Sequence, residues 1–331
     1  MDYLCCPACH GVLEEGTKVA PHLTCAECGA VFPSNIGVTD FVDSTTLDDF
    51  AMWQHGLYDG EEGPRDVPDY AEPEAVRRHT DHCLGVAREH GFLMPTWLGV
   101  RCREVTDTLG PREGEWLLDV GCSVGTVLNS MNAIYGIRGV GVDFSGAAIK
   151  AASAYNPCGN EYYVADALRL PVMDAAFDLA VSYGVIEHVS DPEQMVREMV
   201  RILKPGGRML IYTPCRNDAW SWHWWQRVTS GERYDLGVEN LWGHEREKFL
   251  SPPQLASYLE GAGLDRVDTV AVHTLYTLMF DEMFPNAVFL LLARPWAFGA
   301  VRRILELADS LPNDRGYGNE FLAVGWKPRE D

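Results

Sequence analysis

Between Trp116 and Pro214 short apolar runs alternate with helical stretches, and this alternation limits the chain to very few architectures. "EWLLDVGCSVGTVLNSM" reads as a strand from Trp116 to Val120, a Gly-rich turn and a helix. "GIRGVGVDFSGAAIKAASAY" is a second strand ending at Asp143, with a helix opening after it. "EYYVADALRLP" gives a third, short strand ending near Asp166. "FDLAVSYGVIEHVSDPEQMVREMVRILKPGGRMLIYTP" supplies strand, loop, helix and strand, with Pro205, Gly206 and Gly207 expected to make the turn. Strands alternating with helices predict an α/β fold with a parallel, doubly wound sheet. A chain of 331 residues can hold that sheet and a smaller domain beside it.

In such a sheet the turn after the first strand is the nucleotide-binding place, because glycine there permits tight turning and close approach of a ligand to the backbone. Asp143 ends the second strand 24 residues after Asp119, where a carboxylate can accept hydrogen bonds from ribose hydroxyls. The turn lacks the GxGxxG spacing that a pyrophosphate favours: Gly121 and Gly125 are four apart, with Ser123 between them. Over roughly residues 112 to 270 the chain resembles the class I S-adenosylmethionine-dependent methyltransferases, particularly the small-molecule branch typified by ubiquinone-biosynthesis O-methyltransferases. "LLDVGCSVG" resembles that family's first motif, with Ser123 in place of its second glycine, and "VIEHVSDP" and "RILKPGGRMLIYTP" resemble the motifs that follow.

The resemblance implies a Rossmann-like methyltransferase sheet whose last strand, within "NEFLAVGWKP", runs antiparallel to the others. It implies S-adenosylmethionine as cofactor. Asp119, Gly121 and Gly125 would shape the pocket for its methionine end, Asp143 would take the ribose, and Asp166 with the backbone at Ala167 would read the adenine. Cys122, Ser123, Phe144 and Ser182 complete the expected cofactor site.

A sulfonium methyl is already activated, so the protein has to align the acceptor and, where needed, take its proton. His188 is the leading candidate base, since it follows the fourth strand at the ligand edge and imidazole titrates near neutrality. Glu187 beside it joins the catalytic set as a residue that could bind the cofactor or orient the base. The alternative is that this pair only holds the loop while Asp191 caps the next helix, with Pro192 in its first turn. "DAWSWHWWQR" crowds Trp220, Trp222, Trp224 and Trp225 around His223, with Trp242 and His244 following. This segment reads as a lid over a flat or apolar acceptor, with His223 a further base candidate. Lid-to-body packing and contact with a membrane surface are its alternatives.

Ahead of the sheet, Cys6-Pro7-Ala8-Cys9 and Cys25-Ala26-Glu27-Cys28 form two CxxC knuckles fifteen residues apart. Four thiolates so spaced match structural zinc with a closed shell, which leaves no open catalytic position. Cys5 is a spare sulfur; Cys6 is preferred for its spacing to Cys9. Residues 1–42 hold one lysine, no arginine and five carboxylates, so no basic stripe is present for nucleic acid. The segment resembles small zinc ribbons found before, or as partners of, certain RNA and protein methyltransferases, down to Cys28-Gly29-Ala30-Val31-Phe32-Pro33 and Gly37-Val38-Thr39-Asp40-Phe41.

Residues 1–42 are thus expected to be a zinc ribbon, 43–110 a helical cap and linker, and 111–331 the methyltransferase domain. Lid and further insertions are expected around 215–250 and 274–318. In related enzymes such N-terminal helices cover the cofactor, which brings Tyr58, Tyr70 and Arg77 into consideration; His79, His82 and Cys83 share one helical face. The Gly- and Pro-rich "GLYDGEEGPRDVPDYAEPE" is expected to be a mobile loop. The second insertion leaves an acceptor wall, a homodimer face and a peripheral membrane contact open.

The balance of 27 basic against 48 acidic residues gives −21, a field against polyanionic partners. No charged-then-apolar leader opens the chain. The apolar run from Ala287 to Ala293, cut by Arg294 and Pro295, is too short to span a bilayer. The scattered single cysteines fit a reducing compartment, so a cytoplasmic location is expected. The expected activity is methylation of a small-molecule acceptor, most simply at oxygen, in natural-product or cofactor biosynthesis. An RNA or protein methyltransferase that docks through its ribbon is the second reading, and a non-catalytic binding protein the third.

Overall fold

The apolar runs between Trp116 and Pro214 form five parallel strands, each flanked by helices that cover both faces. The computed structural model describes residues 3–17, 20–35, 37–59, 72–219, 224, 228–229, 246–272, 291–310 and 318–329. Its large sheet contains β5 (Trp116–Val120), β6 (Arg138–Asp143), β7 (Glu161–Val164), β8 (Phe177–Tyr183), β9 (Leu203–Pro214), β10 (Arg266–Val272) and β11 (Glu320–Trp326). The strand order is β10-β11-β9-β8-β5-β6-β7, with β11 antiparallel to both its neighbours. This is the α/β architecture expected from the alternation, including the reversed last strand.

Successive residues of a strand face opposite ways, and the two faces feed two cores. Leu118, Ala180 and Met209 join one apolar cluster, while Leu117, Leu179 and Leu210 join the other. The flanking helices are α2 (Pro73–His90), α3 (Trp97–Leu109), α4 (Thr126–Tyr135), α5 (Gly146–Ala154), α6 (Pro192–Arg201) and α7 (Pro252–Gly261). Asp191 does cap α6: its side chain accepts from the Gln194 amide at 2.9 Å, with Pro192 in the first turn. In α2, Cys83 is buried and His79 half-buried, but His82 is exposed, so the three do not converge.

The third strand ends at Val164, near Asp166 as expected. One expectation for the sheet needs correction. Pro205, Gly206 and Gly207 do not form a free turn but lie inside β9, where pairing with β8 shifts register between Phe177↔Leu203 and Leu179↔Arg208. Gly206 absorbs this bulge at φ +77°, a conformation glycine adopts without strain.

The N-terminal segment forms a four-stranded antiparallel sheet, β1 (Leu13–Thr17), β2 (Ala20–Cys25), β3 (Val31–Asn35) and β4 (Val38–Thr39). It docks on the outer edge of the large sheet. The Phe41 amide donates to the Val164 carbonyl at 2.9 Å, the Cys5 amide to Pro171 at 3.1 Å and the Met173 amide to Tyr3 at 2.8 Å. The first of these bonds, with a parallel bridge between Asp40 and Val164, covers the end of the otherwise open edge of β7, and the other two hold the segment that follows it. Leu4, Leu23, Phe32 and Phe41 share one apolar cluster with Leu118 and Phe177, so the ribbon and the sheet have a continuous core.

Residues beyond the ribbon lead into α1 (Asp49–Asp59) across the carboxyl ends of the parallel strands. Thr46 accepts from Arg169 beyond β7 at 2.6 Å, Asp48 is hydrogen-bonded to Ser190 beyond β8, and Lys248 lies 4.3 Å from the centre of the Phe50 ring. This strap spans the end of the sheet where ligands bind in doubly wound folds.

Candidate active site

Beyond Val120 the chain must turn sharply from β5 into α4. The Gly121 and Cys122 amides both donate to the Val142 carbonyl, at 2.7 and 3.0 Å, which folds the turn against β6. Gly121 (φ +80°) and Gly125 (φ +76°) are both left-handed, and a side chain at either would collide, with Val185 and Tyr162 respectively. Gly121 thereby brings the loop after β5 against the loop after β8. That contact lies at the switch in strand order, where a crevice opens.

Ser123 also sits in the left-handed region, at φ +50°. Ser123→Gly is expected to leave stability within about 1 kcal/mol, since relieved backbone strain offsets the freer unfolded chain. A loss above roughly 2 kcal/mol on denaturant unfolding would show instead that the side chain holds the turn.

The acidic residues at the strand ends occupy different environments. Asp143 receives two backbone amides, Ser123 on Oδ2 and Ser145 on Oδ1, both at 2.8 Å, and so ties the first-motif turn to the start of α5. Asp119 is buried, and its carboxyl is pushed up to about 8 by desolvation and then by the Asp143 charge. Its Oδ2 has no hydrogen-bond partner among the described residues. A buried oxygen left in this way fits a cationic or N–H donor supplied by a ligand. Asp166 accepts from the Leu168 amide at 2.9 Å and from Arg169 at 3.3 Å. Arg169 in turn reaches Thr46 of the strap, a link that sequence reasoning missed because the partners lie 123 positions apart.

Phe144 and Ala167 are half-buried beside the carboxylates that precede them, and Cys122 is buried within the turn. Ser182, near the end of β8, is fully buried, with a hydroxyl that lacks a partner among the described residues. The expected cofactor residues therefore gather along the ends of β5, β6, β7 and β8.

Glu187 and His188 lie in a short 3-10 turn, Ile186–His188, directly after β8. Glu187 is 1 % exposed and accepts from the Thr213 hydroxyl of β9 at 3.0 Å. Burial pushes its carboxyl up to about 7, and the nearby Glu320 charge adds to the effect. Thr213 and Glu320 have no sequence signal of their own. Glu320 reaches this edge only because β11 runs backwards, which pairs it with Pro214. His188 is half-buried beside Glu187. Arg77 is engaged on the surface, with Asp81 at 3.7 Å and over the Tyr155 ring at 5.5 Å. His223, Trp220, Trp222, Trp225, Trp242, His244 and Tyr70 lie outside the described residues, as does the Tyr58 side chain. Of the segment expected to be a mobile loop, residues 56–59 belong instead to α1 and 73–74 to α2, because helix packing extends past the Gly- and Pro-rich run at both ends, and residues 60–71 lie outside the described residues.

The four cysteines of the ribbon converge, with all four sulfurs within 4.8 Å of one another. Cys6 and Cys28 are 3.7 Å apart and Cys9 and Cys25 are 3.4 Å apart, against about 3.8 Å for the edge of a tetrahedron with zinc–sulfur bonds of about 2.3 Å. Cys5 is outside this cluster. Each knuckle closes by the same backbone turn, His10 amide to Cys6 carbonyl at 2.8 Å and Gly29 amide to Cys25 carbonyl at 3.0 Å. The donor set and spacing fit a structural metal ion, and no other group of His, Cys, Asp and Glu among the described residues does.

Residues 118–211 match the family model described as a methyltransferase domain. The chain is 29% identical over 164 residues to a ubiquinone biosynthesis O-methyltransferase of Coxiella burnetii, a match covering 49% of this chain and 68% of that protein. It is 36% identical over 100 residues to norajmaline N-methyltransferase of Rauvolfia serpentina, covering 29% and 34% respectively. Among solved structures, Haemonchus contortus phosphoethanolamine N-methyltransferase 2 in complex with S-adenosyl-L-methionine has a TM-score of 0.51 at 16% identity. That match covers 86% of this chain and 61% of that one, and is a likeness of fold.

Proposed function

Because the chain belongs to the class I S-adenosylmethionine-dependent methyltransferases, we propose that it methylates a small-molecule acceptor at oxygen. The supporting observation is Glu187, a buried carboxyl poised near neutrality at the edge where the cofactor crevice ends. A hydroxyl acceptor needs such a group, since it must lose a proton as its oxygen is alkylated. The name of the Coxiella relative and the acidity of the whole chain both favour a small acceptor over a nucleic acid. The cofactor supplies an activated sulfonium methyl. Asp119 would hold its ammonium, Asp143 its ribose hydroxyls, and Asp166 with Ala167 its adenine. The turn from Gly121 to Gly125, with Cys122 and Ser123, would form the floor, and Phe144 and Ser182 the flanks. The ribbon would carry zinc in a purely structural role. A tailoring step in natural-product or cofactor biosynthesis is the setting that fits this chemistry.

The test is incubation with methyl-labelled S-adenosylmethionine and a cell extract, followed by separation of small molecules, RNA and protein. Label among small molecules supports the proposal; label in RNA or protein would transfer it to the macromolecular class, with the ribbon as docking module. Absence of transfer with cofactor binding intact would leave a binding protein.

The pair Glu187 and His188 contains the proposed base, and two variants separate its members. Burial delays ionisation of Glu187, so its basic form grows only as pH rises through about 7. If it is the base, kcat/KM rises across that range in the wild type. Glu187→Gln then lowers turnover by about 10²–10⁴-fold and flattens the profile, while His188→Asn keeps it. The reverse pattern assigns the role to His188. Near-normal turnover in both would remove general-base catalysis by either residue.

A further inference from the structure

The helix α8 (Pro295–Ser310) has two apolar faces, and the fold uses one of them. Its inner face packs on the body of the protein. Ala297 and Leu305 are buried, Phe298 stacks on Phe92 with ring centres 5.8 Å apart, and Arg302 joins Glu104 at 2.9 Å and Glu306 at 2.8 Å. These contacts set the helix firmly against α3 and the end of α2.

The other face is turned outward. Trp296 is 80% exposed, Ile304 66% and Leu307 62%, with Ala300 exposed between them. Positions 296, 300, 304 and 307 follow helical spacing, so they form one stripe rather than scattered surface residues. Arg303 follows Ala300 by three positions and precedes Leu307 by four, so it lies on this stripe, and Arg294 is exposed just before the helix, while Glu306 is half-buried and engaged by Arg302. A chain with a net charge of −21 thus presents apolar side chains together with exposed arginine on this helix.

We propose that the outer face of α8 docks the protein on the surface of an anionic lipid bilayer, with the helix lying in the headgroup plane. A tryptophan at one end, aliphatic residues along the stripe, and arginines on it and just before it match what an interfacial helix needs, because apolar area and attraction to anionic lipid act together. At 16 residues the helix is too short to span a membrane, and no helix among the described residues is long and apolar enough to cross one. A second copy of the chain is the competing occupant. A two-fold contact through this stripe would bury the charge of Arg303, which lies on it, with no carboxylate at positions 296, 300, 304 or 307 to pair with, which disfavours it.

The test is co-sedimentation of the full chain with vesicles of phosphatidylcholine and phosphatidylglycerol, and with vesicles of phosphatidylcholine alone. The wild type is expected to partition at least about tenfold better to the anionic vesicles, with binding weakened by added salt. Trp296→Ser with Ile304→Ser, and separately Arg294→Glu with Arg303→Glu, should each reduce partitioning by about tenfold while melting temperature and cofactor affinity remain unchanged. None of these residues touches the proposed active site, so failure here leaves the methyl-transfer proposal standing. Absence of vesicle binding, or binding undiminished in both variants, overturns the proposal. Self-association of the wild type in sedimentation velocity, abolished by Trp296→Ser with Ile304→Ser and without vesicle binding, would assign the face to a second copy.

Discussion

Asp143→Ala is expected to weaken S-adenosylmethionine binding by about 10²-fold or more in a calorimetric titration. The carboxylate holds both the Ser123 and Ser145 amides at 2.8 Å, so its loss undoes the first-motif turn and the entry to α5 together. Charge-assisted hydrogen bonds of this kind contribute about 1.5–3 kcal/mol each, and a buried amide left unpaired adds its own desolvation cost. The ribose hydroxyls would lose their acceptor as well. Asp143→Asn keeps one acceptor oxygen and should fall between wild type and Ala. Affinity within about twofold of wild type in the Ala variant would mean that the crevice at β5 and β6 is not the cofactor site.

Loss of the zinc proposed for the ribbon should have the second large effect. Cys25→Ser is expected to abolish stoichiometric zinc and to lower the melting temperature by about 10 °C or more. Structural zinc contributes about 10–16 kcal/mol to the folding of isolated zinc-finger peptides, and a 331-residue protein shifts by about 1–2 °C per kcal/mol. The loss does not stay local. Leu4, Leu23, Phe32 and Phe41 belong to the cluster that includes Leu118 and Phe177, and the ribbon bonds directly to Val164 and Pro171. The strap that follows it meets Asp166 through Thr46 and Arg169. Cofactor affinity should therefore fall together with metal content. A wild-type protein that carries no zinc by elemental analysis, or a Cys25→Ser variant with unchanged melting, would remove the ribbon from this account.

Much of the architecture is legible from local pattern. The strand at Trp116–Val120, the end of the next at Asp143, the cap at Asp191 and the four-cysteine cluster all depend on residues close in sequence, where spacing and turn chemistry decide the outcome. The misplaced Pro205-Gly206-Gly207 turn shows the limit. A Pro-Gly-Gly run signals a break in most contexts, but here pairing between β8 and β9 draws it into a strand as a bulge.

The sequence by itself determined the element order, the carboxylates at the strand ends and the two CxxC knuckles, because each follows from side-chain chemistry and backbone preference within a few residues. Only the tertiary structure decided which of these groups act together. Strand order set Gly121 against Val185, the reversed β11 brought Glu320 to the ligand edge, and docking of the ribbon on β7 carried Thr46 to Arg169. The physical reason is that burial and electrostatic coupling depend on distance in space. The same Glu187 that is an ordinary carboxylate in the extended chain becomes a group poised near neutrality once the sheet closes around it.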